Sequence, residues 1–139
     1  MFKRIVVAID GSTHTQKTLE YAKEIAEAFE ATVWLVYAFP RTSDLLGYDE
    51  YEKLISRRKG EGEHILEEAR KTFESTSVDV HEELLEEPAA EAILSVAKIR
   101  KADLIVMGTR GLGTLQGLVF GSVSNKVAHY ASCPVMLVR

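Results

Sequence analysis

Cysteine is all but missing: Cys133 is the only one in 139 residues. One thiol excludes an internal disulfide framework and fits a reducing compartment. Long hydrophobic runs are missing too. The longest, Val33 to Phe39, is strand-sized, whereas a helix needs about 20 apolar residues to cross a bilayer. Met1-Phe2-Lys3-Arg4 leads into an apolar run of five residues, Ile5 to Ile9, short of the roughly 7–15 of a secretory signal core. There is no basic excess: 17 Lys and Arg face 21 Asp and Glu, for a formal charge of −4. A general nucleic-acid binder would carry a basic face or stripe. These absences predict a soluble, cytoplasmic chain with neither nucleic acid nor membrane as partner. Proline is scarce, with three residues, and each stands where an element is expected to begin or end.

What is present is ordinary globular material, 46% apolar and 27% charged. The length suits one domain spanning 1–139, since domains commonly run about 100–150 residues. Ile5 to Ile9 is an unbroken apolar run ending in Asp10-Gly11-Ser12, the pattern of a strand covered on both faces. Ser12 or Thr13 is the expected cap of a helix whose apolar positions run Leu19, Ala22, Ile25, Ala26 and Phe29. Thr32 to Phe39 predicts a second strand, stopped by Pro40, and Arg41 to Asp49 a loop. Helical spacing returns from Tyr51 to about Phe73, weakened at Gly60 and Gly62. Val78 to Leu85 is a more polar strand, expected at a sheet edge. Glu87-Pro88 opens a third helix, proline being tolerated in the first turn. Leu104 to Met107 and Pro134 to Val138 supply the last two strands, with a helix from Ser122 to about Ala131 between them. Alternating strands and helices predict an α/β fold: a single-domain, doubly wound, five-stranded parallel sheet of order 3-2-1-4-5, Rossmann-like or flavodoxin-like, with helices on both faces.

In such a sheet, ligands bind beyond the carboxyl ends of the strands, where the winding reverses. The first and fourth strands flank that point, and both end in polar turns. Asp10-Gly11-Ser12 follows one; a loop with glycines at 108, 111, 113, 117 and 121 follows the other. Glycines permit positive φ and let backbone N–H groups approach a ligand. Gly121-Ser122-Val123-Ser124 then opens a helix, whose free N–H groups favour phosphate. Ser122 and Ser124 hydroxyls could donate further bonds, and Arg110 or Lys126 could add charge. The competing reading is a tight surface loop with Ser122 as an ordinary cap.

The spacing Gly108-x2-Gly111-x9-Gly121-Ser122 resembles the nucleotide loop of ATP-binding universal stress proteins. The resemblance covers nearly the whole chain. Val6 to Ser12 looks like that family's opening strand and acidic turn, Ala102 to Gly108 like the strand entering its loop, and Ser132 to Val138 like its closing strand. The resemblance implies a dimeric, ATP-binding regulatory module of the stress response. By similarity, Asp10 lies at the nucleotide, with Ala8 and Ile9 in the adenine wall. Tyr37 falls where main chain meets adenine, and Met107 beside the base. Gly108, Gly111 and Gly121 shape the phosphate loop, and Ser122, Val123 and Ser124 offer N–H or hydroxyl groups. Mg2+ would accompany ATP or another adenine nucleotide, with no all-protein cage needed. The second strand reads Leu35-Val36-Tyr37, where relatives often carry histidine before the base-contacting position. An antiparallel homodimer through Pro134 to Val138 is implied; protein partners are not.

Other residues point less far. Taken alone, Asp10 reads as an Asx-type cap of its own turn; His14 is expected to be exposed, against the alternative of facing a phosphate, and His64, His81 and His129 lack zinc-like spacing. Glu82-Glu83 and Glu86-Glu87 form an acidic cluster, read as a solvated edge against the alternative of catalytic carboxylates. Trp34 and Tyr37 are expected in the core, and no motif places a base near Cys133. There is no P-loop lysine motif, Ser-His-Asp order or His-Glu-x2-His element. A slow ATP hydrolase, a nucleotidyl-transfer enzyme, or a dimeric scaffold with a vestigial site are the alternatives. Receiver domains and flavodoxins share the architecture. The position of a receiver's phosphoacceptor aspartate falls in Leu84-Leu85-Glu86-Glu87, and Ser12-Thr13-His14-Thr15 only partly resembles a flavin phosphate loop.

Overall fold

The structure is a computed structural model that describes residues 1–41, 47–109 and 121–139. In chain order the elements are β1 (Arg4–Ala8), α1 (Thr15–Phe29), β2 (Thr32–Phe39), α2 (Tyr48–Arg70), β3 (Asp79–Glu86), α3 (Ala89–Ile99), β4 (Leu104–Gly108), α4 (Ser122–Tyr130) and β5 (Val135–Val138). A 3₁₀ turn at Lys71–Phe73 extends α2. The five strands form one sheet of order β3-β2-β1-β4-β5, and every pairing is parallel.

Apolar runs become central strands because both faces of the sheet are covered. Ile5, Val6 and Val7 of β1 are fully buried, as are Ile105 and Val106 of β4. Successive side chains point to opposite faces, so these runs feed two cores. Ile5, Val7, Leu35 and Val106 pack with Leu19, Ala22 and Ala26 of α1 and Leu66 and Ala69 of α2. Val6, Val36, Ile105 and Met107 pack with Ala90, Ile93 and Val96 of α3 and Val127 of α4. The sheet is doubly wound.

Several boundaries differ from expectation for local reasons. α1 begins at Thr15 rather than just after Ser12 or Thr13, with His14 at the cap position and no side-chain cap. The preceding residues are held in a separate turn, in which the Thr15 N–H donates to the Ser12 carbonyl. α2 starts at Tyr48, within the stretch expected to be loop, of which 42–46 lie outside the described residues. It also runs through Gly60 and Gly62. A Cβ on Gly62 would stand 2.5 Å from Leu84 Cδ1 and 3.0 Å from Tyr37 Cδ1, so this glycine lets α2 lie close on β2 and β3. β5 begins at Val135, although the Pro134 carbonyl already accepts the Ile105 N–H at 3.0 Å.

The polar strand β3 does lie at an edge. Its adjacent carboxylates turn to opposite faces: Glu82 pairs with Arg70 at the end of α2, and Glu83 with Arg100 at the end of α3. They do not converge as a catalytic pair would. Trp34 is buried as expected, with Arg4 4.9 Å from its ring centroid and His81 stacked on it at 5.5 Å. Among the described residues no helix is long and apolar enough to cross a membrane.

Candidate functional site

The chain leaves β1 through α1 toward β2, and leaves β4 through α4 toward β5. The winding therefore reverses between β1 and β4, which are direct neighbours with Val7 beside Val106. Ala8, Val36, Met107 and Val123 share one face at this point, all packed into the α3/α4 core. Ile9 and Tyr37 turn their side chains into the opposite core, against α1 and α2. The main chain of Ile9 stays in place, its N–H donating to the Val36 carbonyl at 3.0 Å. Of the residues expected around the base, Ala8 and Met107 thus present side chains to one face and Ile9 and Tyr37 to the other.

The turn after β1 is built by Asp10. Its Oδ1 accepts the Ser12 N–H at 2.9 Å and the Thr15 hydroxyl at 3.0 Å. This is an Asx-type turn, closed further by the His14 N–H donating to Ser12 Oγ at 3.3 Å. Gly11 sits in it at φ +77°, the left-handed region open to glycine. His14 is exposed, and its carbonyl accepts from the Thr18 N–H and hydroxyl.

The turn after β4 is built differently. Arg110, Gly111, Gly113 and Gly117 lie outside the described residues, but both flanks are defined. The Thr109 N–H donates to the Val138 carbonyl at 3.0 Å, and the Gly121 N–H to the Thr109 carbonyl at 2.9 Å. Gly121 caps α4 at φ −80° and ψ 170°, with no side-chain cap. That backbone is open to any residue, and Gly11 is the one glycine with left-handed φ among the described residues. The positive φ that these glycines permit is therefore not used at Gly108 or Gly121. The missing Cβ, which allows close approach, is what remains. The first turn of α4 offers the N–H groups of Ser122, Val123 and Ser124, and Ser122 is exposed. Ser124 is buried, and its hydroxyl donates to the Gly121 carbonyl at 3.1 Å.

Lys126 was a candidate source of positive charge, but its ammonium is paired with Glu91 of α3. That pair joins α3 to α4 and holds the Glu91 carboxyl below its usual range. Burial, then the nearby charges of Glu61 and Asp10, push the Tyr37 phenol up from its ordinary value. Burial, then Asp103, likewise push up the Cys133 thiol, against a nucleophilic role. No group of three or more His, Cys, Asp or Glu that could hold a metal ion occurs among the described residues. Sequence reasoning passed over Thr109, a buried hydroxyl residue between two assigned glycines. It also passed over the packing role of Gly62, which only the β2–β3 surface reveals.

An open parallel sheet of this order, with its polar turns at the switch point between β1 and β4, defines a flavodoxin-like α/β domain. The sequence profile of the Universal stress protein family matches residues 1–139, and the chain belongs to that family. A universal stress protein of Thermus aquaticus is 44% identical over 139 residues, covering 100% of both chains. The structure of UspA from Lactobacillus plantarum aligns with a TM-score of 0.90 at 21% identity, covering 99% of this chain and 98% of that one. A universal stress protein in complex with cAMP aligns at a TM-score of 0.78 and 27% identity, covering 99% and 97%.

Proposed function

We propose that this protein is an adenine-nucleotide-binding regulatory module that holds ATP, with Mg2+, across the ends of β1 and β4. The observation that carries the reading is the N-terminus of α4. It stands at the switch point with its first-turn N–H groups lacking a side-chain cap, behind a glycine whose backbone conformation does not demand glycine. Uncapped N–H groups and the helix dipole suit phosphate, and a bare Gly121 lets phosphate come close. Ala8 and Val123, both part-exposed, offer apolar contact for the base on the face where Met107 is buried beneath. The Ile9 and Tyr37 main chains and Asp10 border it. The cAMP complex of a family member favours an adenine ligand. Gly108 and Gly111 complete the family's loop pattern, and Arg110 would add positive charge. Magnesium would take ligands from phosphate and water and would neutralise phosphate charge.

Binding is favoured over turnover because Asp10 Oδ1 is engaged in building its own turn. The module acts as a homodimer through β5, with isologous contacts. β5 is an apolar edge strand (Val135, Met136, Leu137), whereas β3, the other edge, exposes Asp79, His81 and Glu82. Charge guards an edge against pairing, and an apolar edge invites it. A cytoplasmic location fits this role.

Calorimetric titration with ATP and Mg2+, against ADP, AMP and FMN, tests the site. Saturable ATP binding with weaker responses from the others is expected. No adenine-nucleotide binding, in protein freed of co-purified ligand, would leave the fold and favour a scaffold. Sedimentation equilibrium is expected to show a dimer, and a monomer at micromolar concentration would remove the β5 interface.

A further inference from the structure

Trp34 is the single tryptophan of the chain, and cationic or titratable groups from three other parts of the chain gather around its indole. Arg4 of β1 lies over the ring, 4.9 Å from its centroid, and Arg100 at the end of α3 lies 6.0 Å away. From β3, on the other side of β2, the His81 ring stacks on the indole at 5.5 Å and an interplanar angle of 17°. The sheet register sets this contact, because Trp34 and His81 are direct cross-strand partners. Trp34 is buried, whereas the His81 side chain is half exposed. Solvent protons therefore reach the imidazole while the indole stays covered.

The charges around His81 do not cancel evenly. Its Nε2 lies 3.0 Å from Asp79 Oδ2 on its own strand. Arg100 is paired with Glu83 of β3, its Nε donating to Glu83 Oε1 at 2.9 Å. Arg4 approaches from β1, on the far side of β2 from His81. Glu82 and Arg70 pair with each other on the opposite face of the sheet. The nearest charge to His81 is thus a carboxylate. A protonated ring gains an ion pair with it and a cation–π contact with the indole.

The strand that carries His81 is short of other anchors on this face. β3 is an edge strand, paired with β2. Toward α3 its first half presents Asp79, His81 and Glu83, and Leu85, near its end, is the residue that joins the apolar core.

We propose that His81 and Trp34 form a proton-operated clasp on the β3 edge, in which the charged imidazole holds the first half of the strand to β2 and the neutral ring releases part of that hold. Histidine side chains change charge between about pH 5 and 8. The cation contact exists in the folded sheet and not in the unfolded chain. Its contribution is therefore complete where the imidazole is charged and fades as pH rises. The clasp is independent of the nucleotide site.

The test follows Trp34 emission and urea unfolding at about pH 5.5 and about pH 8, toward the two ends of the histidine range, in wild type, His81→Phe and His81→Gln. Phenylalanine keeps a stacked ring that takes no proton, and glutamine removes the ring. A charged imidazole quenches indole emission, so wild-type fluorescence is expected to fall in acid while both variants stay level. Relative to His81→Phe, wild type is expected to gain about threefold in its folding equilibrium at the lower pH, the scale of an exposed cation–π contact. His14, His64 and His129 are common to both proteins and cancel in that comparison. Wild-type emission that ignores pH, or that changes alike in the variants, would overturn the clasp. So would an emission change with equal pH dependence of stability in wild type and His81→Phe, since the ring would then take its proton without holding the strand.

Discussion

Two turns meet at the carboxyl edge of the sheet, and they treat their polar groups in opposite ways. The turn after β1 uses its own side chains to close itself: Asp10 takes Ser12 and Thr15, and Ser12 takes His14. The turn before α4 is held from beneath, by the main chain of Thr109 and the buried hydroxyl of Ser124. Among the described residues the first-turn N–H groups of α4 have no side-chain cap, as is also true of α1. Both helices follow the same device one turn in, where a buried hydroxyl (Thr18 or Ser124) bonds back to the carbonyl of the cap residue. What differs is the cap's surroundings. A self-satisfied turn is a rigid border, and an open one is where a ligand can gain hydrogen bonds.

The contrast breaks most sharply at Gly121. Valine is compatible with φ −80° and ψ 170°, so Gly121→Val is expected to leave the unfolding curve close to wild type. Its branched side chain would occupy the space that phosphate needs, and saturable ATP binding in calorimetry is expected to vanish. Wild-type affinity in this variant would make the open turn irrelevant to the ligand.

The matching change in the closed turn is Asp10→Ala. It removes the acceptor for two hydrogen bonds, one from main chain and one from a hydroxyl. Bonds to a charged group commonly contribute about 1.5–3 kcal/mol, and a stability loss of about that size is expected in urea denaturation. An unchanged midpoint would show that the turn closes without its carboxylate. Ser122→Ala should act the other way. The residue is exposed, so stability is expected to hold while ATP weakens by about 1.5–3 kcal/mol if its hydroxyl bonds phosphate.

The same contrast explains what could be read from the residues alone. Strand order and winding were legible because continuous apolar runs such as Ile5 to Ile9 report burial on both faces, and polar Val78 to Leu85 reports an edge. The start of α1 was displaced because Ser12 and Thr13 are good caps in isolation, whereas the Asp10 turn holds Ser12 and the Ser12 hydroxyl takes the His14 N–H ahead of the helix. Helix α2 was obscured at Gly62, whose reason lies in Leu84 and Tyr37 on other elements. In the candidate site, the glycine spacing singled out the turn before α4. It could not tell Ser122 from Ser124, because burial separates them, nor foresee that Lys126 is held by Glu91.

Gly11 sharpens the comparison from the backbone side. At φ +77°, with a Cβ that would lie 2.9 Å from Ile65 Cδ1, it is a glycine by conformational need. Gly121 is not. Gly11→Ala is therefore expected to lower stability by about 1–2 kcal/mol, the scale of left-handed strain in an L-residue, and to leave ATP affinity nearly intact. A neutral result in thermal unfolding would remove the distinction between the two glycines.

The smallest effect concerns the phenol beside the closed turn. Burial and the charges of Glu61 and Asp10 raise the Tyr37 pKa in the folded protein, while an unfolded tyrosine titrates near about 10. Above that pH the unfolded chain releases this proton before the native one does. The native state then binds more protons, and stability falls as pH rises. The contribution is complete below the unfolded value and is lost as pH climbs through the folded one. Tyr37→Phe cannot titrate there, so its denaturation midpoint is expected to decline less steeply than wild type at alkaline pH, with the two parallel near neutrality. Identical slopes above about pH 10 would mean that burial, together with the charges of Glu61 and Asp10, does not hold the Tyr37 proton in the folded protein.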